Sequence, residues 1–352
     1  MIGARHEVVE QDLRRIVSAP LPWGDLRGKT VLITGAAGFL PAYMAETLLF
    51  LNEIDPTFGV RVIALARNES HARARFAHYE GRDDLTFLIQ DASSPLEITE
   101  RVDVIIHAAS NASPKFYGCQ PVETLLPNVI GTHHLLEFCR RTKVERFLFF
   151  SSGEVYGEVD AAQVPTAEGA YGAVDPAALR SCYAESKRMG ETMCVAWSRE
   201  YAVESRIVRP FHTYGPGMRL DDGRVFADFV ADLVAGRDIV MRSDGLARRA
   251  FCYIADATEG FFTVLLKGED AVPYNVGNEN AEVSIGELAD ILVRTCSDKH
   301  LRVVRQARPE SGGYMDSAIS RSAPDTSRLQ ELGWKPITTI IDGFKRTVRS
   351  FT

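Results

Sequence analysis

The sequence predicts an α/β protein built on a doubly wound parallel sheet. Apolar runs of strand length alternate with helical stretches, and the runs are continuously apolar, as in strands that are buried on both faces. The first run is followed by a glycine-rich turn that enters a helix. With 352 residues, 45% of them hydrophobic, the chain can build one large domain or two smaller ones.

Six apolar runs are predicted to form the strands of this sheet. They cover residues 30–35, 61–66, 85–91, 102–109, 146–152 and 204–210. Helical spacing of apolar residues marks three stretches between them, at 45–53, 124–142 and 183–201. After about residue 210 the elements become shorter and Pro and Gly more frequent, which predicts a smaller second domain.

Charge and cysteine content exclude several classes of protein. The formal net charge is -7, with acidic and basic residues mixed along the chain, so no broad basic face is available for nucleic acid or anionic lipid. The six cysteines include no C-x-x-C pair, which favours reduced thiols over disulfides or a metal site. No apolar stretch approaches the roughly 18 residues of a membrane span. We therefore expect a soluble cytoplasmic protein without a metal ion.

The turn TGAAGFLPAYM, residues 34–44, is typical of a dinucleotide site. Gly35 permits a tight turn, and Gly38 leaves room for a pyrophosphate at the N-terminus of the following helix, where free N–H groups favour anions. Phe39 and Leu40 begin that helix and are expected beside the cofactor. Pro41 replaces a usual third glycine; the first helical turn tolerates proline, but close packing of the helix on the sheet comes into question.

The end of the second predicted strand bears on which dinucleotide binds. An acidic residue there would bind the adenosine ribose diol, but this chain has Ala66 and Arg67. Arg67 could accommodate the 2′-phosphate of NADP, or it could cover the adenine or face water. These residues alone leave NAD and NADP open.

Three polar residues indicate hydride-transfer chemistry. Tyr183 and Lys187 are four residues apart on a predicted helix and project from one face, while Ser152 ends a strand at the carboxyl edge of the sheet. Such a tyrosine moves a hydroxyl proton, the lysine lowers its pKa, and the serine orients the substrate oxygen.

From about residue 29 to its end, the chain resembles the extended short-chain dehydrogenase/reductase family, in particular its NAD-dependent nucleotide-sugar epimerases, dehydratases and decarboxylases. The resemblance starts at the glycine turn and continues through the pair Tyr183 and Lys187. The other matching stretches are HAAS (107–110), NVIGTHHLLE (128–137), SSGEVYG (151–157), RPFHTYGPG (209–217), RRAFCYIADATEG (248–260) and YNVGNENAEVSI (274–285).

The resemblance implies a catalytic triad of Ser152, Tyr183 and Lys187, with the last two also contacting the cofactor. It implies further cofactor contacts near the adenine and along the nicotinamide side, with Asn128 supporting the site. The residues at those positions are Asp91, Ala92, Ala108, Ala109 and Ser110.

The resemblance also implies contacts with a nucleotide sugar. His212 stands where the family often has an asparagine that contacts the sugar nucleotide. Arg249 matches an arginine that contacts the diphosphate, and Arg224 is a candidate for a second cation there. Residues 1–28 are predicted to form an N-terminal extension, 29–208 a Rossmann-type dinucleotide-binding domain, and 209–352 mainly the substrate-binding domain, interleaved with the first.

In this family the cofactor oxidises the sugar at C4, and the pair at 153 and 154 separates the reactions. Related 4,6-dehydratases have Asp-Glu, whereas this chain has Gly153 and Glu154. C4 epimerases need only the triad and usually lack the glutamate. UDP-glucuronate decarboxylases keep the glutamate, with serine in place of Gly153, and they resemble this chain at 179–188, 221–229 and 248–253 as well.

We therefore favour decarboxylation of UDP-glucuronate, with C4 epimerisation and 4,6-dehydration as alternatives. Glu154 would orient the sugar ring and its carboxylate, and Arg180 would balance charge near the tyrosine. NAD is preferred over NADP because no net oxidation is expected. A non-catalytic scaffold is disfavoured by the intact triad, and an NADPH-dependent reductase by the substrate-domain stretches. The resemblance further implies a homodimer formed through the helix at 124–141 and the helix that carries Tyr183.

Overall fold

A computed structural model describes residues 5–295, 300–306 and 319–352. Its centre is a sheet of seven parallel strands in the order β10-β6-β5-β4-β1-β2-β3. These strands are β1 (Thr30–Thr34), β2 (Arg61–Ala66), β3 (Leu85–Ile89), β4 (Val104–His107), β5 (Arg146–Phe150), β6 (Ser205–Pro210) and β10 (Pro273–Val276). The predicted fold class is confirmed, and all six predicted strands belong to the sheet.

Helices cover both faces of this sheet, so its inner strands are almost wholly buried, while the edge strand β3 is partly exposed. In chain order they are α1 (Glu7–Val17), α2 (Phe39–Ile54), α3 (Glu69–Arg75), α4 (Pro114–Tyr117), α5 (Pro121–Leu126), α6 (Thr132–Thr142), α7 (Ser181–Tyr201), α8 (Val225–Val234), α9 (Ile254–Lys267), α10 (Ile285–Thr295), α11 (Ser327–Glu331) and α12 (Ile340–Arg349). A π-helical turn, Pro127–Gly131, joins α5 to α6.

The later part of the chain adds small sheets beside the carboxyl edge of the large one. Its strands are β7 (His212–Tyr214), β8 (Ile239–Met241), β9 (Arg248–Tyr253), β11 (Glu282–Ser284), β12 (Val303–Arg305) and β13 (Arg321–Ser322). Strand β9 pairs with β7, β11 and β13, and β8 pairs with β12. Strand β10 and helix α9 return to the large sheet, so the later part of the chain contributes to the parallel core as well.

The N-terminal helix α1 packs against α2 and α9. Its Leu13 and Ile16 are buried in the main core. Buried Asp12 accepts hydrogen bonds from the Tyr253 hydroxyl at 2.7 Å and from Arg346 at 2.7 Å. Residues 5–28 are thus tied to both parts of the chain. The predicted boundaries at residues 28 and 208 stay a prediction.

Pro41 does not prevent close packing of α2. The helix begins at Phe39 after Gly38, and Pro41 occupies its first turn, where its missing N–H leaves no intrahelical partner unsatisfied. The side chains from Pro41 to Leu51 are buried, and α2 contacts β1, β2 and α9. The third glycine is therefore not needed for this helix to reach the sheet.

Three further observations concern the described residues. Cys119, Cys139, Cys182, Cys194 and Cys252 are free thiols, while Cys296 lies outside the described residues. In the described part of the chain, the helices are too short or too polar to cross a bilayer. Nor do His, Cys, Asp and Glu side chains gather there in groups of three or more that could hold a metal ion.

Candidate active site

The predicted cofactor turn lies where the strand order reverses, between β1 and β4. Gly35 has a φ of 65° and approaches the loop after β4 so closely that a Cβ on it would lie 2.8 Å from the Cα of Ala109. Such a crevice at the carboxyl ends of the strands is the usual ligand site of a doubly wound sheet. Both the left-handed backbone and the close approach require glycine here.

A cleft opens along this crevice and brings most of the predicted cofactor residues together. Those that line it are Gly35, Gly38, Arg67, Asp91, Ala92, Ala109 and Ser110. The lining also includes residues that sequence reasoning missed, among them Leu65, Asn68, His71, Asn111 and Pro127. Phe39, Leu40 and Ala108 instead pack against the main core behind the cleft.

A buried threonine and histidine hold the two sides of the crevice together. The Thr34 hydroxyl, at the end of β1, accepts hydrogen bonds from the N–H groups of Ala108 and Ala109 at 3.2 and 3.1 Å. It donates to Nδ1 of His107 at 2.8 Å, while Nε2–H of His107 donates to the Pro127 carbonyl at 3.1 Å. Burial, together with the nearby charge of Lys187, lowers the pKa of His107 to about 3, so the ring is neutral.

The cleft fits a nicotinamide dinucleotide. The Ser110 hydroxyl and the Asn128 Oδ1 are buried without a hydrogen-bond partner among the described residues, although buried polar atoms are normally paired. Gly38 caps α2 without a side chain, which leaves the N–H groups of the helix start available to a phosphate. When bound, such a cofactor would accept and return a hydride.

The predicted triad meets at the carboxyl ends of β5 and β6. Tyr183 and Lys187 are buried on α7, and the Ser152 side chain lies near enough to Tyr183 to lower its pKa. Burial raises the pKa of Tyr183 to about 12, while Ser152 and the positive charge of Arg224 oppose this rise. Lys187 donates to the Phe150 carbonyl at 2.6 Å, and burial lowers its pKa to about 7.

The π-helical turn places Asn128 against the catalytic helix. Its Nδ2 donates to the Ser186 hydroxyl at 3.0 Å and to the Thr124 carbonyl at 3.0 Å. Ser186 in turn donates to the carbonyl of Tyr183 at 2.8 Å. Asn128 is therefore linked to the backbone of the tyrosine through a single hydroxyl, and its Oδ1 is left for a ligand.

A second tyrosine, not predicted from the sequence, covers Tyr183. The rings of Tyr117 and Tyr183 stack with their centroids 5.1 Å apart. The guanidinium of Arg180 lies 5.8 Å from the centre of the Tyr117 ring and 3.5 Å from the Glu154 carboxylate. The predicted residues Glu154 and Arg180 thus form an ion pair beside the stacked rings.

The other predicted substrate contacts come from the later part of the chain. Arg224 donates to the Ala112 carbonyl at 2.9 Å and pairs with Asp222 at 3.1 Å. Burial and the charges of Arg249 and Arg224 hold the pKa of His212 well below its usual range, so this ring is neutral, and its Nδ1 has no partner among the described residues. Arg249 donates to the carbonyls of Ile319 and Ser320 at 2.8 and 3.2 Å.

Position 153 is closely packed against the ring of Phe211. A Cβ on Gly153 would lie 3.1 Å from Cζ of Phe211 and 3.2 Å from two further atoms of the same ring. Ser152, which caps the short turn Gly153–Tyr156, accepts a hydrogen bond from the N–H of Glu154 at 3.2 Å. Glu154 is therefore the acidic side chain of this turn.

The fold and the cleft are those of a dinucleotide-dependent enzyme. Residues 31–277 match the NAD dependent epimerase/dehydratase family. The chain is also 33% identical over 315 residues to UDP-glucuronic acid decarboxylase 6 of Arabidopsis thaliana, covering 89% of this chain and 86% of the relative. UDP-glucuronic acid decarboxylase 1 of Danio rerio is 31% identical, covering 92% and 73%. The chain belongs to the NAD dependent epimerase/dehydratase family, as the sequence resemblance predicted.

Solved structures of other enzymes share this fold. The dTDP-glucose 4,6-dehydratase of Streptomyces venezuelae, crystallised with NAD, is 25% identical with a TM-score of 0.74, over 92% of this chain and 96% of that one. The UDP-glucose 4-epimerase of Thermotoga maritima has a TM-score of 0.76 at 22% identity, over 92% and 98%. At 22% identity the epimerase shows the fold alone.

Proposed function

We propose that this protein decarboxylates UDP-glucuronate through transient oxidation of the sugar at C4. The observation that carries the proposal is the pair at 153 and 154: Phe211 fills the space beside Gly153, and Glu154 is left next to Ser152. A 4,6-dehydratase would need a second acid at position 153. The glutamate, in turn, is not needed for simple C4 epimerisation. Sequence identity to UDP-glucuronic acid decarboxylases supports the same choice.

The site residues can move the C4 hydroxyl proton of this reaction. Ser152 and Tyr183 would bind the C4 hydroxyl, and ionised Tyr183 would take its proton as the C4 hydride leaves. The resulting β-keto acid loses carbon dioxide when the bond between C5 and the carboxylate breaks and its electron pair moves toward the C4 carbonyl. A proton from water then adds to C5 in place of the carboxylate, and Tyr183 returns its proton to the C4 oxygen as the hydride comes back. The sugar undergoes no net oxidation.

The two arginines near the stacked tyrosines suit a substrate carboxylate. Arg180 and Arg224 lie near Tyr183 and Tyr117 and would hold an anionic sugar before carbon dioxide leaves. Glu154, paired with Arg180 at 3.5 Å, would limit that attraction and orient the carboxylate. Arg249 and His212 would then contact the nucleotide part, with His212 as a neutral hydrogen-bonding group.

The test is to incubate the purified protein with UDP-glucuronate and follow the product by mass spectrometry and proton NMR. We expect loss of carbon dioxide without added NAD, and no product from the Tyr183→Phe variant. A product of unchanged mass with inverted C4 would make the protein an epimerase. Loss of water from a neutral nucleotide hexose, with UDP-glucuronate left intact, would overturn the proposal.

We propose NAD as the cofactor, retained through the catalytic cycle. A redox-neutral reaction needs no exchange with a reduced NADP pool, and the family is NAD-dependent. Arg67 is about half exposed and its side chain lies 3.4 Å from Asn111 and 3.9 Å from Asp91. It can therefore lie over the adenosine without binding a 2′-phosphate.

We further propose that the protein acts in the reducing cytoplasm. The free thiols among the described cysteines support this location.

We also propose that the protein is a homodimer formed through α5, α6 and α7. Val122, Leu126 and Ile130 follow one another at intervals of four residues along α5 and the π-helical turn, and between 40% and 56% of each is exposed. Met189 and Val195 of α7 are also exposed apolar residues. A second copy of the chain would cover this stripe. Sedimentation should show a dimer that Leu126→Asp dissociates, whereas Leu246→Asp, at an exposed leucine elsewhere, should leave it intact.

A further inference from the structure

A buried ion pair lies one helical turn from the predicted catalytic lysine. Glu191 follows Lys187 by one turn on α7, and Arg209 belongs to β6. The guanidinium binds the carboxylate with two hydrogen bonds, Nε to Oε1 at 2.8 Å and Nη2 to Oε2 at 2.6 Å. The Ser151 hydroxyl donates to the same carboxylate. The two charged side chains are only 13% and 7% exposed.

Arg209 also forms hydrogen bonds on the side away from Glu191. Its Nη1 donates to the Tyr156 hydroxyl at 2.9 Å and to the Glu168 carbonyl at 3.0 Å. Tyr156 donates to Oδ1 of Asn275 on β10 at 2.6 Å. The carboxylate of Glu191 is therefore fixed between β5, β6 and α7, and it cannot turn toward solvent without breaking this network.

Few charged groups near Lys187 can offset the effect of burial on its pKa. Across from it, His107 of β4 is neutral, because burial lowers its pKa to about 3. On α7 itself, burial raises the pKa values of Tyr183 and Cys194, so both side chains are neutral in the resting protein. Burial lowers the pKa of Lys187 to about 7, and the negative charge of Glu191 is the largest influence in the opposite direction.

We propose that Glu191 is a positioning residue that keeps Lys187 protonated inside a dry site, and that Arg209 limits this effect by sharing the carboxylate. The inference rests on the proposed partnership of Lys187 with Tyr183, but not on the identity of the nucleotide sugar. A neutral lysine could no longer lower the pKa of Tyr183, which burial raises to about 12. The Glu191 charge would therefore set the alkaline limit of activity.

Two substitutions in the same ion pair test the proposal because their electrostatic effects have opposite signs. Glu191→Gln removes the negative charge and should lower the titration midpoint of Lys187 by about one pH unit or more. Arg209→Gln leaves the negative charge unopposed and should raise the midpoint. If the ion pair had only a structural role, both substitutions would shift the Lys187 midpoint in the same direction.

The midpoint is measured by NMR on the full-length protein as isolated, labelled with lysine ¹³C at Cε, and the Lys187 signal is assigned by its loss in Lys187→Met. Glu185→Gln is the control, since Glu185 lies on the same helix but pairs with half-buried Arg188. No substrate is needed, so failure of the decarboxylase proposal would not affect this result. With an active substrate, Glu191→Gln should also lose about tenfold in kcat/KM relative to the wild type on the alkaline limb.

Each single variant leaves one buried charge without its partner, which can prevent folding. The double variant Glu191→Gln with Arg209→Gln removes both charges and avoids that cost. Its Lys187 midpoint should still lie below the wild-type value, because Glu191 acts on Lys187 directly. An unchanged or raised midpoint in the double variant, or equal shifts in the two single variants, would overturn the proposal.

Discussion

The ring of Tyr117 lies parallel to the ring of Tyr183, with the centroids 5.1 Å apart and the planes at 14°. Tyr117 is held in this position from the loop after β4, where its hydroxyl donates to the Ala112 carbonyl at 3.1 Å. Arg224 donates to the same carbonyl at 2.9 Å. The loop between β4 and α4, which holds Tyr117, is thereby connected to the start of α8, so the cover over Tyr183 is shared by both parts of the chain.

Replacing Tyr117 should reduce turnover through the position of Tyr183. We expect Tyr117→Leu to lower kcat/KM by about tenfold, since the stacked pair contributes on the order of 1 kcal/mol beyond its buried area. Tyr117→Phe keeps the ring and should lose less than about threefold. Steady-state kinetics on protein of matched NAD content measures both. Equal losses in the two variants would assign the effect to the hydroxyl and contradict a stacking role.

An acid introduced at position 153 should not produce a dehydratase. Gly153→Asp should destabilise the protein by about 1–3 kcal/mol, because its Cβ would press on the Phe211 ring 3.1 Å away. Thermal unfolding measures the loss, and mass spectrometry should find no dehydrated product. Gly169→Asp is the control, since a Cβ there meets nothing within 4 Å. Efficient loss of water from a nucleotide hexose by Gly153→Asp would contradict the proposed role of Phe211.

Cofactor choice should depend on Ala66 more than on Arg67. We expect mass spectrometry of the denatured protein to detect NAD, and Arg67→Ala to change NAD affinity by less than about threefold, because an exposed ion pair contributes little. Ala66→Asp should bind NAD about tenfold more tightly, since a carboxylate at the end of β2 can hydrogen-bond the ribose diol. Recovery of NADP, or its selective loss in Arg67→Ala, would reverse this preference.

The buried imidazole of His107 should make the free energy of unfolding depend on pH. In the unfolded chain the ring binds a proton below about its usual pKa of 6.5, whereas burial lowers the folded pKa to about 3. The unfolded state therefore binds more protons between these values, and the free energy of unfolding falls as the pH drops from 6.5 toward 3, by at most about 1.4 kcal/mol per pH unit. Denaturant unfolding at several pH values measures this slope.

The variant His107→Gln supplies the comparison. It lacks the titrating ring, so its stability deficit relative to the wild type should shrink as the pH falls below 6.5. A constant difference between the two proteins over this range would mean that His107 does not titrate differently on folding.

Local sequence patterns predicted much of the fold and the outline of the site. Continuous apolar runs marked all six predicted strands. Strand β10 was not predicted because its four residues, Pro273–Val276, are too few to show periodicity. The spacing of Tyr183 and Lys187 on one helix predicted that they lie together, and the end of β5 predicted Ser152 beside them. The resemblance to a family added the substrate side, where the roles of individual residues stay predictions.

The sequence by itself determined those features that depend on neighbours along the chain: strands, helices, the glycine turn and the i, i+4 pair. Only the tertiary structure decided which distant side chains meet. Thr34 joins His107, Tyr117 covers Tyr183, Phe211 closes position 153, and Glu191 binds Arg209 near Lys187. The physical reason is that these contacts arise from packing across strands and loops far apart in the chain. Their hydrogen bonds and pKa shifts depend on burial, which no local pattern of residues specifies.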